Sequence, residues 1–441
     1  MTLQTLEALR AGRLAGASEL KLACGLTQFP PEILTLADTL EVLDLSGNAL
    51  DTLPDELAQL HRLRIIFCSN NRFTRLPDLL GRCAALSMVG FKANRIVEVP
   101  AASLPAQLRW LILTDNAVEA LPAEIGHCAQ LQKLMLAGNR LRELPESLRH
   151  CHRLELLRLA ANRLESFPRW LLDLPRLAWL ATAGNPFSAD HEAATLAALD
   201  LPAIPWSAIE TEALLGEGAS GVIHRAQLRL QGAAAEPVAV KLFKGAVTSD
   251  GLPQSEMTAA LHAGRHEGLI PLRGQVVGHP ASARGLVMDL ISPAFRNLAG
   301  PPSYESCTRD VYPDALRFDA VTLLRLVQGL ASAAAHLHRR GVLHGDLYAH
   351  NILFDDAGQS LIGDFGAASL YAADGGALAI GLQRIEVQAF GILLGELLAL
   401  GPAAWPARPA LAKLQAACCA DDPTQRPTFD DILLALSACT S

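Results

Sequence analysis

The chain has 441 residues, half of them hydrophobic, and a formal net charge of −8. This length allows two or three domains with large buried cores, and the acidic balance argues against a nucleic-acid partner. The start of the sequence has no continuous apolar segment, and no run of about 18 apolar residues follows it. We therefore expect neither a secretory signal nor a membrane-spanning helix, and we expect a cytoplasmic location.

The first half of the chain repeats one frame of leucines around an asparagine, as in "LEVLDLSGNALDTLP" and "LQKLMLAGNRLRELP". The asparagines follow one another at intervals of 22 or 23 residues: Asn48, Asn71, Asn94, Asn116, Asn139, Asn162 and Asn185. Because one unit cannot bury its own apolar face, neighbouring units must stack. A buried asparagine can satisfy backbone groups where the chain turns.

This frame resembles the leucine-rich-repeat family over roughly residues 18–190, and the resemblance implies an α/β solenoid. An irregular unit, "LKLACGLTQFP", opens the array with Cys24 in the asparagine position. The chain has nine cysteines, and Cys83, Cys128 and Cys151 stand where the frame has leucine. We predict that these three are core residues, not metal ligands or disulfide partners, as suits a reducing cytoplasm.

The variable positions of the repeat strands are unusually apolar. Side chains alternate along a strand, so these positions face the concave side of the solenoid, where a contiguous apolar patch indicates a binding site. The predicted partner-binding residues are Trp110, Met135, Leu156 and Trp179. The expected partner is another protein or peptide. Two alternatives are that the second half of the chain folds back onto this face, or that side chains on neighbouring strands cover it.

Residues 187–208 indicate a cap helix followed by a proline-containing linker. This linker is long enough to let the second half of the chain stand apart from the repeats or fold back on them. The predicted domain limits are 1–190 for the repeats, 191–208 for the cap and linker, and 209–441 for the last domain.

The second half opens with "LLGEGASGVIHRAQL", in which three glycines in a G-x-G-x-x-G pattern precede Val222. Alone this pattern is weak, but a strand, "PVAVKLF", follows it and carries Lys241. Glu256 comes fifteen residues later on a predicted helix. A glycine loop, a lysine on a strand and a helical glutamate, in this order, are typical of protein kinases.

Further motifs continue this order. "GLVMDLI" indicates the hinge strand, with Met288 as gatekeeper, and "HGDLYAHNIL" spaces Asp346 and Asn351 as in a catalytic loop. "GDFGAAS" then supplies Asp364, and "CCADDPTQRPTF" supplies Arg426 as a structural arginine. The chain resembles eukaryotic-like protein kinases over about residues 209–436. The resemblance implies an α+β domain with a small lobe at about 209–291 and a large lobe at about 292–441.

This resemblance implies ATP as substrate and Mg²⁺ as cofactor. Asp346 would take the proton of the acceptor hydroxyl, and Lys241 would hold the phosphates. Asn351 and Asp364 offer hard oxygen ligands suited to Mg²⁺. The residues implied in ATP binding are Gly216, Gly218, Gly221, Val222, Ala239, Lys241, Glu256, Met288, Asp289, Ile291 and Leu353.

The catalytic loop departs from the family pattern at two positions. Gly345 replaces the arginine that commonly pairs with a phosphorylated activation segment, and Tyr348 replaces the lysine of serine/threonine kinases. We predict that a protonated His350 partly supplies the missing charge as a catalytic residue; the alternative is that it is polar filler. The segment from Asp364 to Glu386 is short and has no Ala-Pro-Glu motif, so we expect no activation by its phosphorylation.

These features predict an active protein kinase, with serine or threonine favoured over tyrosine as acceptor, whose repeats recognise a protein partner or substrate. The complete set of nucleotide, metal and base residues supports this interpretation. Tyr348 and the short segment support the alternative, a pseudokinase or scaffold that binds nucleotide and acts through protein interaction.

Overall fold

The structure, a computed structural model, describes residues 2–199, 202–218, 220–245, 248 and 250–439. The chain forms two compact units, Met1–Leu174 and Pro175–Ser441. This division differs from the predicted domain limit at residue 190. The reason is that the strand of the last repeat and the cap helix pack within the second unit.

The first unit is a solenoid, which confirms the predicted repeat fold. It begins with helix α1, Thr2–Arg10. Its described part then has three-residue strands, each pairing in parallel with the next: β1 Glu19–Lys21, β2 Val42–Asp44, β3 Ile65–Phe67, β4 Met88–Gly90, β5 Trp110–Ile112, β6 Lys133–Met135 and β7 Leu156–Arg158. Short 3₁₀ helices return the chain between strands, at Pro31–Leu36, Asp55–Gln59, Asp78–Arg82, Ala101–Ser103, Ala123–His127, Glu146–His150 and Arg169–Asp173.

The asparagines of the frame satisfy backbone groups at each turn, as predicted. Oδ1 of Asn71 accepts a hydrogen bond from the Leu50 N–H at 2.9 Å. Its Nδ2 donates to the carbonyls of Leu45 and Cys68. The same pattern recurs at Asn94, Asn116, Asn139 and Asn162. Each of these five asparagines therefore ties one repeat to the preceding one.

The three repeat cysteines lie in the core, as predicted. Cys83, Cys128 and Cys151 are all buried. Burial raises the pKa of the Cys83 and Cys128 thiols to about 11 and that of Cys151 to about 12. They therefore stay protonated and pack as small apolar side chains.

The second unit begins with the strand of the last repeat, β8 Trp179–Ala181, and the cap helix α2, Pro186–Ala198. A six-stranded sheet follows: β9 Ala203–Pro205, β10 Ile209–Glu217, β11 Gly221–Leu228, β12 Glu236–Phe243, β13 Leu272–Val277 and β14 Gly285–Asp289. Helix α3, Pro253–Ala263, lies between β12 and β13 in the chain. The strand order is β10-β11-β12-β14-β13-β9, so β11 and β12 lie inside the sheet.

Within the predicted linker, Ala203–Pro205 form strand β9 of this sheet, and Trp206–Ala208 form a 3₁₀ helix. β9 pairs in parallel with β13, with Ile204 opposite Val276. Ile204 is buried, and Trp206 packs against the same apolar core. Residues 200–201 of the predicted linker lie outside the described residues.

The large lobe is mainly helical. Its elements are β15 Arg296–Asn297, α4 Ala320–Arg339, β16 Val342–Leu343, β17 Ile352–Phe354, β18 Ser360–Ile362, β19 Ser369–Leu370, α5 Ala377–Leu400, α6 Arg408–Cys418 and α7 Phe429–Ser437. β17 pairs with β15 and β18, and β16 pairs with β19. The "HGDLYAHN" loop lies between β16 and β17, and the "DFG" turn lies between β18 and β19.

Helices α4 and α5 are long and apolar enough to cross a membrane by length and composition. In the structure 56% of the apolar window of α4 and 61% of that of α5 are buried within the protein, as in the core helices of a globular domain. The sequence-based expectation that the chain has no spanning helix stays a prediction.

Candidate active site

A buried ion pair marks the centre of the site. Lys241 projects from β12, and its ammonium contacts the Glu256 carboxylate on α3. The Lys241 Nζ also lies 3.7 Å from Oδ1 of Asp364, which opens the "DFG" turn. Lysine and glutamate lie fifteen residues apart in sequence, and the packing of α3 on the sheet brings them into contact.

The electrostatics of this trio keep the lysine charged. Burial, the largest influence on Lys241, lowers the pKa of its amine, but the carboxylates of Asp364 and Glu256 together raise it above its ordinary value. Burial raises the pKa of the Glu256 carboxyl to about 7. The pair is therefore fully ionised above neutral pH and loses its negative partner as the pH falls through about 7.

A cleft beside the ion pair is lined by the glycine-rich loop, Lys241 and Asp364. A Cβ added at Gly221 would lie 2.5 Å from the Leu242 carbonyl oxygen, so packing within the sheet requires this glycine. A Cβ added at Gly216 or Gly218 would meet no atom within 4 Å. Open space at these two glycines lets a ligand approach the backbone, which fits the cradle of a phosphate chain.

Ile223 lines the same cleft and was not predicted from the sequence. The predicted residue, Val222, is its neighbour on β11, and neighbouring side chains on a strand point to opposite faces. Counting the strand alternation from Gly221 would have found Ile223.

The hinge residues lie at the end of β14. Met288 lines the cleft, as expected of a gatekeeper. Oδ1 of Asp289 accepts a hydrogen bond from Nε of Arg273 at 2.5 Å, so a nucleotide contact from Asp289 would come from its backbone. Three further residues implied in ATP binding are partly or fully buried: Ala239, Ile291 and Leu353.

The catalytic loop holds its aspartate and asparagine in direct contact. Nδ2 of Asn351 donates to the backbone oxygen of Asp346 at 3.0 Å and to its carboxylate Oδ2 at 2.7 Å. Nε2 of His344 donates to the Gly363 carbonyl at 2.9 Å, so the loop is tied to the residue before Asp364. The two segments that carry the predicted base and metal ligands are therefore fixed to each other.

The residues present suit a magnesium ion. Asp364 has a left-handed backbone, with φ 50°, and its side chain is 52% exposed. Phe365 packs against the apolar cluster that includes Met257 and Leu261 of α3, which leaves the carboxylate on the cleft side. Asn351 donates through Nδ2, and no described residue donates a hydrogen bond to its amide oxygen. Two hard oxygen donors are thus available, as Mg²⁺ requires.

His350 pairs with an aspartate that sequence reasoning missed. Its Nδ1 lies 2.8 Å from Oδ1 of Asp310, and its backbone N–H donates to Oδ2 at 2.9 Å. Burial, the largest influence, lowers the pKa of His350, but the hydrogen bond and charge of Asp310 raise it above its ordinary value. Asp310 lies in an irregular segment before α4 that carries no motif. The catalytic role of His350 stays a prediction. In the structure its imidazole is paired with the Asp310 carboxylate.

The backbone conformation and the close neighbours of residue 345 allow only glycine at this position. Its φ is 73°, and an added Cβ would lie 2.5 Å from the Leu180 carbonyl oxygen and 2.6 Å from that of Ala367. Its N–H donates to Oε1 of Glu386 at 2.8 Å, and Nε2 of His338 lies 2.7 Å from Oε2. Burial raises the pKa of Glu386, but these hydrogen bonds lower it below its ordinary value. An arginine cannot replace Gly345 without moving the backbone.

The prediction that Trp179 binds an external partner is wrong. Its side chain is 1% exposed. The indole stacks on Tyr348 of the catalytic loop, with ring centroids 4.0 Å apart and planes at 9°. Its Nε1 donates to the Leu347 carbonyl at 3.3 Å. At Trp179 the contact agrees with the alternative that the second half of the chain folds back onto this residue.

The other predicted partner residues differ in exposure. Leu156 is 4% exposed and offers no free contact surface, so its prediction is also wrong. Trp110 and Met135 are half-buried and stay predictions. The indole Nε1 of Trp110 donates to Sδ of Met135 at 3.4 Å, and Nζ of Lys133 lies 4.4 Å from the ring centroid.

The hydroxyls of the short activation segment are buried. Ser369 Oγ accepts a hydrogen bond from the Thr182 N–H at 2.9 Å. The Tyr371 hydroxyl donates to the His338 carbonyl at 3.3 Å. Ser369 and Tyr371 are 5% and 7% exposed, so neither hydroxyl is open to a modifying enzyme in this conformation.

Arg426, predicted as a structural arginine, is buried and binds three backbone carbonyls. Its guanidinium donates to Ala420 at 3.1 Å, to Arg384 at 3.2 Å and to Pro175 at 2.6 Å. Burial lowers the pKa of Arg426 to about 10. The sequence nearest to an Ala-Pro-Glu motif is "AAD" at 372–374, in which Oδ1 of Asp374 accepts a hydrogen bond from the Gly376 N–H at 2.8 Å.

Comparison with known families agrees with this geometry. Residues 209–378 match the family described as protein tyrosine and serine/threonine kinase. Leucine-rich-repeat families match residues 39–60, 106–164 and 129–187.

Curated relatives are protein kinases of several kinds. The serine/threonine-protein kinase PITSLRE of Drosophila melanogaster is 29% identical over 36% of this chain and 15% of its own length. The ephrin type-A receptor 8 of Homo sapiens is 25% identical over 53% of this chain and 26% of its own length. The DNA damage-responsive serine/threonine-protein kinase RqkA of Deinococcus radiodurans is 31% identical over 36% of this chain and 22% of its own length.

The matched segments thus span about a quarter or less of each of these three relatives. A solved leucine-rich-repeat protein of Leptospira interrogans is 29% identical, covering 39% of this chain and 50% of that chain. Its TM-score of 0.34 gives this likeness no weight.

Proposed function

This chain is a leucine-rich-repeat protein with a protein kinase domain, and we propose that the domain is an active phosphotransferase. In this proposal it transfers the γ-phosphate of ATP to a protein hydroxyl, of serine or threonine in preference to tyrosine. The observation that carries the proposal is the contact of Lys241 with both Glu256 and Asp364. This contact joins β12, α3 and the "DFG" turn in one charged network.

The small lobe would position the nucleotide. Lys241 offers a charged ammonium to the phosphates, and Glu256 fixes its direction. The open backbone at Gly216 and Gly218 leaves room for the phosphate chain. Such positioning and charge neutralisation supply most of the catalysis in phosphoryl transfer.

The catalytic loop would supply the base. Asp346 is oriented by Asn351 and would accept the proton of the acceptor hydroxyl. Asn351 and Asp364 would hold Mg²⁺, which when bound neutralises charge on the phosphates. His350, whose protonated form the Asp310 carboxylate favours, is the proposed source of positive charge beside the loop.

The structure weakens the main argument for a pseudokinase. A pseudokinase is favoured by Tyr348 in place of lysine and by the short activation segment. Tyr348 has a packing reason, because it stacks on Trp179, and so has the loop glycine, because Gly345 lies against Leu180 and Ala367. Neither substitution removes a group that holds the base or the metal.

We also propose that the repeats recognise a protein partner or substrate and that the protein acts in the cytoplasm. The half-buried Trp110 and Met135 support a partner surface, and the buried thiols of Cys83, Cys128 and Cys151 suit a reducing compartment. A tethered substrate would be phosphorylated at a high effective concentration.

Incubation of the purified full chain with γ-labelled ATP, Mg²⁺ and peptides containing serine, threonine or tyrosine tests the activity, with Asp346→Asn as the matched control. Nucleotide affinity is measured on both proteins by titration. We expect transfer by the wild type and an Asp346→Asn protein that binds ATP normally but transfers about 10³-fold more slowly. ATP binding without transfer by the wild type would refute the proposal and favour a pseudokinase.

A further inference from the structure

Two departures from the usual kinase pattern, Tyr348 and Gly345, and the structural arginine Arg426 contact one stretch of chain. We define residues 175–199, which contain β8 and α2, as the terminal repeat segment. Tyr348, Gly345 and Arg426 each contact this segment. Tyr348 and Gly345 lie where a kinase otherwise has a catalytic-loop lysine and a catalytic-loop arginine.

The first contact fixes the catalytic loop from the side. The Trp179 ring stacks on Tyr348, and its Nε1 bonds the Leu347 carbonyl, so two consecutive residues after Asp346 are held. The Arg309 guanidinium carbon lies 5.6 Å from the centroid of the same indole. Arg309 adjoins Asp310, which holds His350, so one aromatic side chain contacts both segments around His350.

The second contact joins β8 to the loop and to the activation segment. The Leu180 carbonyl lies where a side chain on Gly345 would be. Two residues on, the Thr182 N–H donates to Ser369 Oγ at 2.9 Å. Only a glycine lets the repeat strand approach this closely.

The third contact reaches α3, which carries Glu256. Glu192 on α2 accepts a hydrogen bond from Ser255 Oγ at 3.1 Å through Oε2. Through Oε1 it also accepts from the Gly184 N–H and from Ser188 Oγ. Leu199 packs against the apolar cluster beneath α3. The terminal repeat segment thus contacts both halves of the phosphotransfer site.

We propose that the terminal repeat segment is a positioning element of the phosphotransfer site, in which Trp179 holds the catalytic loop and Glu192 holds α3. The inference rests on the proposed function. It makes Trp179 a positioning residue, since the indole contacts the loop and not the reacting groups. Gly345 and Tyr348 then form the surface on which this segment packs. They replace the usual arginine and lysine because of that packing.

The physical reason is the sensitivity of transfer to geometry. A displacement of about 1 Å can cost a hundredfold in rate, so a loop without its usual arginine needs another support. Here a stacked aromatic pair, backbone hydrogen bonds and a buried guanidinium on Pro175 provide it within the chain itself. No modification of the activation segment is then needed to order the loop.

The test compares Trp179→Ala, Trp179→Phe and Leu134→Ala in the full chain. Leu134 is fully buried on β6 in the first unit, so its truncation is a control for loss of stability away from the site. We expect Trp179→Ala to lower kcat about tenfold or more with little change in the KM for ATP. Trp179→Phe, which keeps a ring for stacking, should restore most of kcat, and Leu134→Ala should lower Tm without lowering kcat.

Hydrogen exchange of the peptide 344–353 gives a readout that needs no activity. We expect faster exchange in Trp179→Ala than in the wild type or Leu134→Ala. Equal kcat for Trp179→Ala and Leu134→Ala, with an active wild type, would overturn this inference and leave the proposed function standing. An inactive wild type would overturn the proposed function; unchanged exchange in Trp179→Ala would then also overturn the inference, and faster exchange would support the hold on the loop.

Discussion

Trp110 and Trp179 occupy the same position of the repeat frame, on β5 and β8, yet they have different surroundings. Trp110 is half-buried and lies beside Met135 and Lys133 of the next strand. Trp179 is buried and stacks on Tyr348 of the catalytic loop. One sequence position therefore gives a partly open surface in one repeat and an internal contact of the kinase domain in another.

The difference shows what a repeat frame determines. The frame fixes the strand and the side on which the tryptophan lies, because side chains alternate along strands. It does not fix what packs there. At β8 the neighbour is a loop that has a glycine at 345 and a tyrosine at 348, which together accept the strand and its indole.

The difference between Trp110 and Trp179 matters for function only if the kinase site beside Trp179 transfers phosphate. Replacement of Lys241 by methionine should lower kcat/KM about 10³-fold, because the charged group that holds the phosphates is lost. Single-turnover transfer to a peptide measures the effect. Normal turnover by Lys241→Met would remove the catalytic interpretation of the loop that Trp179 holds.

Gly345→Arg tests the packing of β8 against the catalytic loop more directly. It restores the arginine common in the family at the point where the Leu180 carbonyl lies. We expect kcat to fall by about tenfold to a hundredfold, because the side chain must displace Leu180 or Ala367. The left-handed backbone adds a cost of about 1–3 kcal/mol, visible in chemical unfolding. A Gly345→Arg protein with higher activity would show that β8 does not constrain the loop.

His350, which lies beside Tyr348 in the catalytic loop, adds a pH-dependent test of this region. The pKa of His350 is raised in the fold, so its contribution to stability is complete below its ordinary value of 6.5 and is lost as the pH rises through the raised value. Turnover should follow the same direction, and His350→Ala should lower kcat about tenfold with little effect on ATP affinity.

A pH–rate profile of the wild type beside Asp310→Asn checks this interpretation. Removal of the Asp310 charge should move the alkaline loss of activity to lower pH. An unchanged profile in Asp310→Asn, or equal kcat for wild type and His350→Ala, would assign His350 to the filler alternative.

The smallest effect is expected in the activation segment, where Ser369 contacts the terminal repeat segment. Ser369→Ala with Tyr371→Phe should keep most of the turnover, because neither hydroxyl is exposed for phosphorylation. Loss of the acceptor for the buried Thr182 N–H should lower the free energy of unfolding by about 1–3 kcal/mol. Collapse of activity in a protein that stays folded would contradict the account.

Periodic and ordered patterns allowed much of the fold to be predicted. The asparagine ladder follows from a repeat visible along the chain, and the contact of Lys241 with Glu256 follows from motif order. The contacts of Asp310 and Trp179 were not predictable in this way. They depend on packing between segments 40 and 168 residues apart, for which no local pattern exists.

The linker shows the same limit. Pro202 and Pro205 indicate a linker, and Ile204 between them adds a strand to the sheet because β13 leaves an edge beside it. Tyr348 was interpreted as a lost charge because the sequence shows the residue type and not its neighbour. At Ile204 and at Tyr348, contacts with distant segments determine the structural role, and the sequence near each residue does not show those contacts.

A double-mutant cycle on kcat tests most directly whether Trp179 and Tyr348 act as one unit in an active site. The wild type, Trp179→Ala, Tyr348→Ala and the double variant are compared in the same peptide assay. If the stacked pair positions the loop, the double variant should be no slower than the slower single variant, since either change already breaks the pair. Losses that multiply in the double variant, or a wild type without transfer, would contradict the account.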